Sequence, residues 1–583
     1  MQTKRILLVL LVLAVAGGAV VLSLRKSGVP ETPRGFLQRP GVFVTEFEKS
    51  EAVFDVASGA VKKSFMKALK ARDWASAAAS LTPDFRGRFP RLADGAEVQD
   101  RNVSIRAYKA SGLPELKAEA FLAAIREQTE GWTQVERTTW RPFEFLLDPA
   151  ENQAYLSIHF QLAGPLPDGR RIDLAGEVKA IIVRAGETWK VRELGWEDGS
   201  RLEAKFVPWA DVTEQTGFTF NDSPENARLV QELINARRTV TVGGLIAADV
   251  NGDGFPDLIS TRAEQDTNVF LNDGRGGFTR GQAPILEGKL CPRSFLLLDL
   301  DGDGVEELVS GSIDEYEEER AWADIWVRNG DSWKRRPRAL EFRIARATRD
   351  IAIEAIVPTD VDGDGRLDLY FGAYSTRDSR TTKFNRIAAY DGADNLLFMN
   401  HGGLKFTEES DQRGIRGTQY TFVAKTFDFD GDGDLDLWDG NDYGPNALWL
   451  NDGTGKFVEG KGHILQEGSN YTMGVTIADW DNTGAWSMYI SNMYSHAGNR
   501  IVPLAADLGE DIKKAALVLA VGNQMYERDE KTKAWRETGV FRGVNWADWS
   551  WATLFLDGDN DGDKDLFVAN GYTSNQDAQA PDY

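Results

Sequence analysis

DFDGDGDLD (428–436) places an oxygen-bearing side chain at positions 1, 3, 5 and 9 of a nine-residue loop, with glycine at position 6. The same rule governs DVNGDGFPD (249–257), DLDGDGVEE (299–307), DVDGDGRLD (360–368) and DGDNDGDKD (557–565). Oxygen donors at alternating positions around a tight turn suit a hard cation such as Ca²⁺, and the backbone carbonyl of position 7 supplies one more. The predicted ligands are Asp249, Asn251, Asp253, Phe255 and Asp257; Asp299, Asp301, Asp303, Val305 and Glu307; Asp360, Asp362, Asp364, Arg366 and Asp368; Asp428, Asp430, Asp432, Asp434 and Asp436; and Asp557, Asp559, Asp561, Asp563 and Asp565. Two carboxylates about 4 Å apart repel by roughly 4 kcal/mol at an effective dielectric of about 20. Such loops predict a divalent ion in each, about five Ca²⁺ in all. A sixth copy, DWDNTGAWS (479–487), keeps Asp479 and Asp481 but has Thr483 and Ser487 at positions 5 and 9. It is expected to keep the turn and bind calcium weakly or not at all.

An EF-hand needs a bidentate Glu at position 12 and helices on both sides. Position 12 here is Ser260, Ser310, Phe371, Asp439 or Val568, and the flanks are short apolar runs such as FLLLD and LYFG. Those runs read as strands, so each loop joins a hairpin. A second hairpin follows several loops: NVFLNDGRGGFT (268–279), NLLFMNHGGLKFT (395–407) and NALWLNDGTGKFV (446–458), with looser versions at 323–336 and 523–537. Two hairpins per repeat make a four-stranded unit, and radial repetition of such units predicts a mainly β chain with a β-propeller of six recognisable blades, a seventh being possible if the chain continues.

The D-x-[DN]-G-D-G-x-x-D loop with its LxLNDGxGxF hairpin resembles FG-GAP (VCBS-type) repeats, as in integrin α-subunit propellers. WSWATLFLDGDNDGDKDLFVANG (549–571) and SNMYSHAGNR (491–500) resemble bacterial ASPIC/UnbV-associated proteins, relatives of cartilage acidic protein. The resemblance covers about residues 205–583 and implies a calcium-binding propeller while saying little about activity. The chain ends at Tyr583, directly after strand two of the last repeat. An open propeller would expose sheet edges, so KFVPWADVTEQTGFTF (205–220) is expected to close the ring as an outer strand on the last blade, unless the protein is longer.

Residues 1–26 contain an uncharged apolar run, Ile6–Leu24, flanked by Lys4 and Arg5 and by Arg25 and Lys26. At about 1.5 Å per residue it spans roughly 28 Å, enough for the hydrocarbon core of a bilayer. A transmembrane signal anchor is expected; Ala14-Val15-Ala16 offers cleavage as the alternative. Either way the bulk of the chain is placed outside the cytoplasm, in the periplasm or at the cell surface. The one cysteine, Cys291, excludes an internal disulfide. Residues 27–50, with Pro30, Pro33 and Pro40, read as a linker, and 203–583 as the propeller.

Residues 51–202 read as a separate α+β unit. AVFDVASGAVKKSFMKALKARDWASAAASL (52–81) has helical apolar spacing with a break at Asp73-Trp74, and FLAAIREQTEGW (121–132) is a further helix. Strands follow at 135–148, 153–164, 170–186 and 188–198. Helices and then an antiparallel meander resemble the SnoaL-like cone. His159 falls in mid-strand, a place more often packed or solvent-facing than catalytic.

Net charge is −23, much of it within the acidic loops. So acidic a chain is not expected to bind nucleic acid, whose affinity comes from Lys and Arg at phosphates. Only four histidines occur, and no HExxH, GxSxG or P-loop motif. The expected role is therefore a protein- or glycan-binding, adhesion or scaffolding module and not an enzyme, with a calcium-dependent polysaccharide lyase or hydrolase as the alternative. Strand two of each blade must carry the chain to the face opposite the loops. Tyr374, Tyr443, Tyr494 and Tyr572 recur there, near His496 and Arg500, and are the expected partner face. The competing expectation is that the tyrosines only plug the shaft.

Overall fold

The computed structural model describes residues 47–99, 103–205, 212–218, 244–261, 267–281, 294–310, 315–317, 320–329, 332–343, 351–376, 392–417, 419–466, 471–494, 522–545 and 549–570, with isolated positions between them. The expected anchor at 1–26 and most of the linker lie outside the described residues. Among the described residues no helix is long and apolar enough to cross a membrane. The chain divides into two compact units, one up to Val207 and one from Pro208.

The first unit opens with α1 (Phe47–Val61), a π-helical turn (Lys62–Met66), α2 (Lys67–Ala71) and α3 (Trp74–Ala79). At the break, Arg72 turns left-handed at φ 53, and Asp73 caps α3 by accepting from the Ser76 backbone N–H at 3.0 Å. α4 (Ala118–Gln128) starts and ends earlier than the 121–132 read from sequence. Thr129 leaves the helical region, and Gly131 at φ 80 turns the chain away.

Seven strands form the sheet, three before α4 and four after it: β1 (Leu81–Arg88), β2 (Ala96–Gln99), β3 (Val103–Lys109), β4 (Arg137–Leu147), β5 (Gln153–Pro165), β6 (Arg171–Ala185) and β7 (Thr188–Ala204). Their order is β2-β3-β7-β6-β5-β4, and β1 pairs with β7 in parallel. The expected meander is β4–β7. The three earlier strands were not expected, because Pro83, Gly87 and a high share of charged residues hide their alternation. Phe89 anchors the core, meeting Phe121, Phe160 and Trp196 edge-on at 5.5 to 5.9 Å. His159 is buried beside the Phe143 ring, 4.6 Å between centroids.

The second unit is a series of six antiparallel sheets, propeller-like blades in chain order. Their first two strands are Leu245–Ala248 and Asp257–Thr261, Phe295–Leu298 and Glu307–Ser310, Ile351–Thr359 and Asp368–Thr376, Tyr420–Phe427 and Asp436–Asp442, Gly474–Ala478 and Ser487–Ser491, and Ser550–Leu556 and Asp565–Asn570. Each second strand starts at position 9 of its loop. Position 9 pairs with the residue before position 1: Ala248 with Asp257, Leu298 with Glu307, Thr359 with Asp368, Phe427 with Asp436, Ala478 with Ser487, and Leu556 with Asp565. One register thus serves all six turns. Blades one, three, four and five have four strands. Blade two adds Glu315–Glu317 against Arg320–Asn329, and blade six is described as two strands.

The segment expected to close the ring lies partly outside the described residues, at 206–211 and 219–220. Its described part does not pair with the last blade. It forms a helical turn, Thr213–Thr216, followed by Phe218, which packs on Phe270 and Phe278 of blade one at 4.6 and 6.0 Å. Gly217 lies against the Phe278 carbonyl as Gly414, after the helical turn Ser410–Arg413, lies against that of Phe457; a Cβ would sit 2.5 and 2.3 Å from those oxygens. Residues 212–218 therefore hold toward blade one the place that the turn after blade three holds toward blade four.

Candidate metal loops and the aromatic rim

Each loop is wound around the carboxylate at position 1. Asp249 accepts from the N–H groups of Gly252, Asp253 and Gly254 at 2.7, 3.1 and 2.8 Å, and Asp299 accepts from Gly302, Asp303 and Gly304 in the same way. Positions 4 and 6 need left-handed backbone, as at Gly431 (φ 83) and Gly433 (φ 104). The carboxylate at position 9 bridges two elements. Asp368 accepts from the N–H of Val361 at position 2 and from Asn400 at the end of the third strand, at 3.2 and 2.8 Å; Asp436 does so from Phe429 and Asn451 at 2.8 and 2.9 Å. Backbone donors thus fix the acids in place, leaving their remaining lone pairs to converge.

They converge in four loops. Asp299, Asp301 and Asp303; Asp360, Asp362 and Asp368; Asp428, Asp430 and Asp436; and Asp557, Asp559 and Asp561 each bring three carboxylate oxygens within 4.8 Å of one another. These four triads can bind metal ions. Positions 1 and 3 contribute every time, and the third member is position 5 or position 9. Glu307 Oε1 and Asp362 Oδ1 are buried without a hydrogen-bond partner. Burial, reinforced by the neighbouring aspartates, pushes the carboxyls of Glu307, Asp368 and Asp436 up to about 7. Orphaned acceptors and crowded acids are the environment that a bound cation relieves, so the residues present fit one. The first loop gathers no such triad: Asn251 takes position 3 and its amide donates to Asp253 at 2.9 Å. Position 7 is expected to act through its carbonyl, which leaves its side chain open to variation. Phe255 there is 44% exposed, and the Arg366 guanidinium pairs with Asp364.

The sixth copy keeps its turn by other means. Asp479 accepts from the N–H groups of Thr483 and Gly484, both at 3.0 Å, while the Thr483 hydroxyl donates to Asp481 at 2.7 Å. Asn482 takes the left-handed position 4 at φ 55, and its amide donates to the Gly562 carbonyl of the last loop at 2.7 Å.

Successive blades are joined at these loops. The carbonyl at position 1 or 2 accepts a hydrogen bond from the following blade: Asp249 from Arg328, Leu300 from Asn400, Val361 from Asn451, Asp428 from Arg528 and Trp480 from the Lys564 N–H, at 2.7 to 2.9 Å.

A second set of joints was missed by the sequence reading. Asn395 accepts from the Ala373 N–H and donates to Thr421 at the start of blade four. Asn446 accepts from the Asn441 N–H and from Thr472 of blade five, and Asn523 accepts from the Asn492 N–H and donates to Ser550 of blade six. The available signal was the asparagine that opens each second hairpin, in NLLFMN, NALWLN and NQMYER. In blade four the joint becomes a network. Asp439, 1% exposed, accepts from Tyr370 Oη at 2.8 Å, Asn395 Nδ2 at 3.0 Å and Trp449 Nε1 at 2.7 Å. Burial pushes its carboxyl up to about 6 despite these donors.

At the end of the blades opposite the loops, aromatic rings meet edge to face. Tyr374 packs on Tyr420 and Phe422 at 5.2 and 5.9 Å, Tyr420 on Tyr443 at 6.1 Å, Tyr443 on Tyr471 at 5.2 Å, and Phe422 on Trp551 at 5.6 Å. All but Tyr420 are half-buried. Tyr443 holds a left-handed backbone at φ 58, a conformation that costs about 1–3 kcal/mol in a residue with a Cβ. Tyr494 is buried beside Gly522. His496, Arg500 and Tyr572 lie outside the described residues.

Tyr374 donates to Asp442 at 2.6 Å, and burial pushes the Asp442 carboxyl up to about 7. A folded-state value above the unfolded one means that the folded chain retains a proton which the unfolded chain releases. The contribution of Asp442 to stability is therefore full below about pH 4 and is lost as pH rises through about 7. With saturating calcium, Asp442→Asn is expected to flatten the fall in melting temperature between pH 4 and 7. Parallel wild-type and variant curves would contradict this assignment.

A family model described as the FG-GAP-like repeat matches residues 249–310 and 428–490. The T-cell immunomodulatory protein homolog of Plasmodium yoelii yoelii is 23% identical over 253 residues, 38% of this chain and 34% of that protein. The match thus spans about a third of that relative's length. Among solved structures, LinA aligns with 28% of this chain and 99% of its own at 11% identity and a TM-score of 0.20. A SnoaL-like polyketide cyclase from Shewanella denitrificans aligns with 24% of this chain and 89% of its own, at 13% identity and a TM-score of 0.16. Sqt1 of Saccharomyces cerevisiae aligns with 75% of this chain and 87% of its own, at 8% identity and a TM-score of 0.28. The chain carries FG-GAP-like repeats after an α+β domain.

Proposed function

We propose that this chain is an exported, membrane-anchored calcium-binding β-propeller protein that works by contact, as a binding or scaffolding module for a protein or glycan partner. The observation that carries this reading is the rim of Tyr374, Phe422, Tyr443, Tyr471 and Trp551, half-buried rings supplied by four consecutive blades at the end away from the acidic loops. Flat rings with polar edges on a stiff scaffold suit sugar faces and protein surfaces. In this reading Ca²⁺ sets the shape of the blades and the opposite end meets the partner.

The test is a glycan array and a pull-down with residues 27–583, in calcium and in chelator. A Tyr443→Ala, Trp551→Ala double variant is expected to bind the captured partner at least tenfold more weakly while its calcium-dependent melting is unchanged. Wild-type affinity in that variant, or polysaccharide cleavage by the wild-type protein, would overturn the proposal.

A further inference from the structure

We infer that the first unit carries a binding site for a small organic anion, outside its aromatic core. A groove of about 460 Å³ lies between the π-helical turn with α2, the α3 helix and the start of β7, and Lys63, Lys67 and Lys190 line it together with Ser64, Ser76 and Trp189. Three features set it apart from an ordinary solvated face.

The first is charge. Lys63 and Lys67 stand four residues apart on one helical face, a like-charge spacing that destabilises a helix, and Lys190 approaches from β7. Among the described residues none of the three has an ion-pair partner. The acidic side chain in the lining, Asp73, is already engaged by the Ser76 N–H and hydroxyl at 3.0 and 2.6 Å. Three ammonium groups against the one Asp73 carboxylate leave the lining with a net charge of +2, which favours an anion of charge −1 to −2 in a protein whose net charge is −23. Residues 51–202 carry acidic and basic side chains in equal number, so the excess of negative charge does not extend to this unit.

The second is backbone. The helix relaxes to π geometry over Lys62–Met66, where the Ser64 hydroxyl bonds back to the Ala60 carbonyl at 2.7 Å. Such turns are rare and often mark functional sites. Here the turn buries Phe65 and Met66 while leaving Lys63 at the groove. The third is the buried Trp189 in the lining, over whose ring the Arg184 guanidinium carbon lies 5.5 Å from the centroid. The groove therefore combines cationic donors with an apolar wall, a setting for a carboxylate or phosphate head on a compact apolar body.

Calorimetric titration of the full chain at low salt with phenyl phosphate and with benzoate tests the site. Saturable binding of at least one probe is expected, tenfold or more weaker in Lys67→Gln, Lys190→Gln and retained in Lys67→Arg, Lys190→Arg. The tighter probe identifies the head group. Lys117→Gln removes a charge outside the groove and is expected to bind as wild type. Absence of saturable heat with both probes overturns the proposal, as does an equal loss in Lys117→Gln. The outcome is independent of calcium and of the aromatic rim, since neither contributes a lining residue.

Discussion

Transfer from about 10 mM Ca²⁺ to excess chelator is expected to lower the melting temperature of the second unit by more than ten degrees. Extracellular oxygen-ligand modules bind Ca²⁺ with dissociation constants of about 10⁻⁴–10⁻³ M, so about 10 mM stands at roughly 10–100 times that value. By mass action each occupied site then stabilises the folded state by about 1.4–2.7 kcal/mol. Four independent triads together supply about 6–11 kcal/mol, comparable with the whole stability of an ordinary domain, about 5–15 kcal/mol. Asp430→Ala is expected to remove one site's share and leave the others. Differential scanning calorimetry reads both effects, and superimposable traces in calcium and chelator would sink the metal assignment.

The second large effect is expected at Asp439, which lies outside the four carboxylate triads. In Asp439→Ala the Tyr370 hydroxyl, the Trp449 indole N–H and one Asn395 amide contact lose their acceptor inside the blade three–four joint. Each buried donor left without a partner costs about 1–3 kcal/mol; Tyr370 and Trp449 are left so while Asn395 keeps Thr421, and a loss of about 2–6 kcal/mol is expected in urea unfolding at saturating calcium. Tyr370→Phe added to Asp439→Ala is expected to restore about 1 kcal/mol, because it removes one orphaned hydroxyl. A loss below about 1 kcal/mol for the single variant would mean that water reaches the joint.

The repeat was legible because its chemistry is local. Nine contiguous residues hold the turn, the acids and the first residue of the next strand, and all six loops close in the register that spacing implies. In the first loop Asn251 holds position 3 as an oxygen bearer, and its amide donates to Asp253. Asp439 was noted in the sequence only as evidence against a helix-loop-helix site, since its partners Tyr370 and Asn395 lie far off in the chain. The joints between blades hide for the same reason, because a donor and its carbonyl stand up to 100 residues apart, as Asn400 and Leu300 do. In the first unit, β1 is interrupted by Pro83 and Gly87 and pairs in parallel with the distant β7 through a register shift between Leu81 and Arg86, and β2 is only four residues long.

At the five joints made beside the loops, the accepting group is a main-chain carbonyl of the preceding loop. A carbonyl is present whatever the side chain, so the grip places no demand on the residues that would hold an ion. Residues 479–487 illustrate the result, having lost the acids at positions 5 and 9 while Trp480 still receives its bond from Lys564. A loop that lacks the acids at positions 5 and 9 can therefore keep its joint to the next blade. A duplicated repeat would also arrive with both of its seams already compatible.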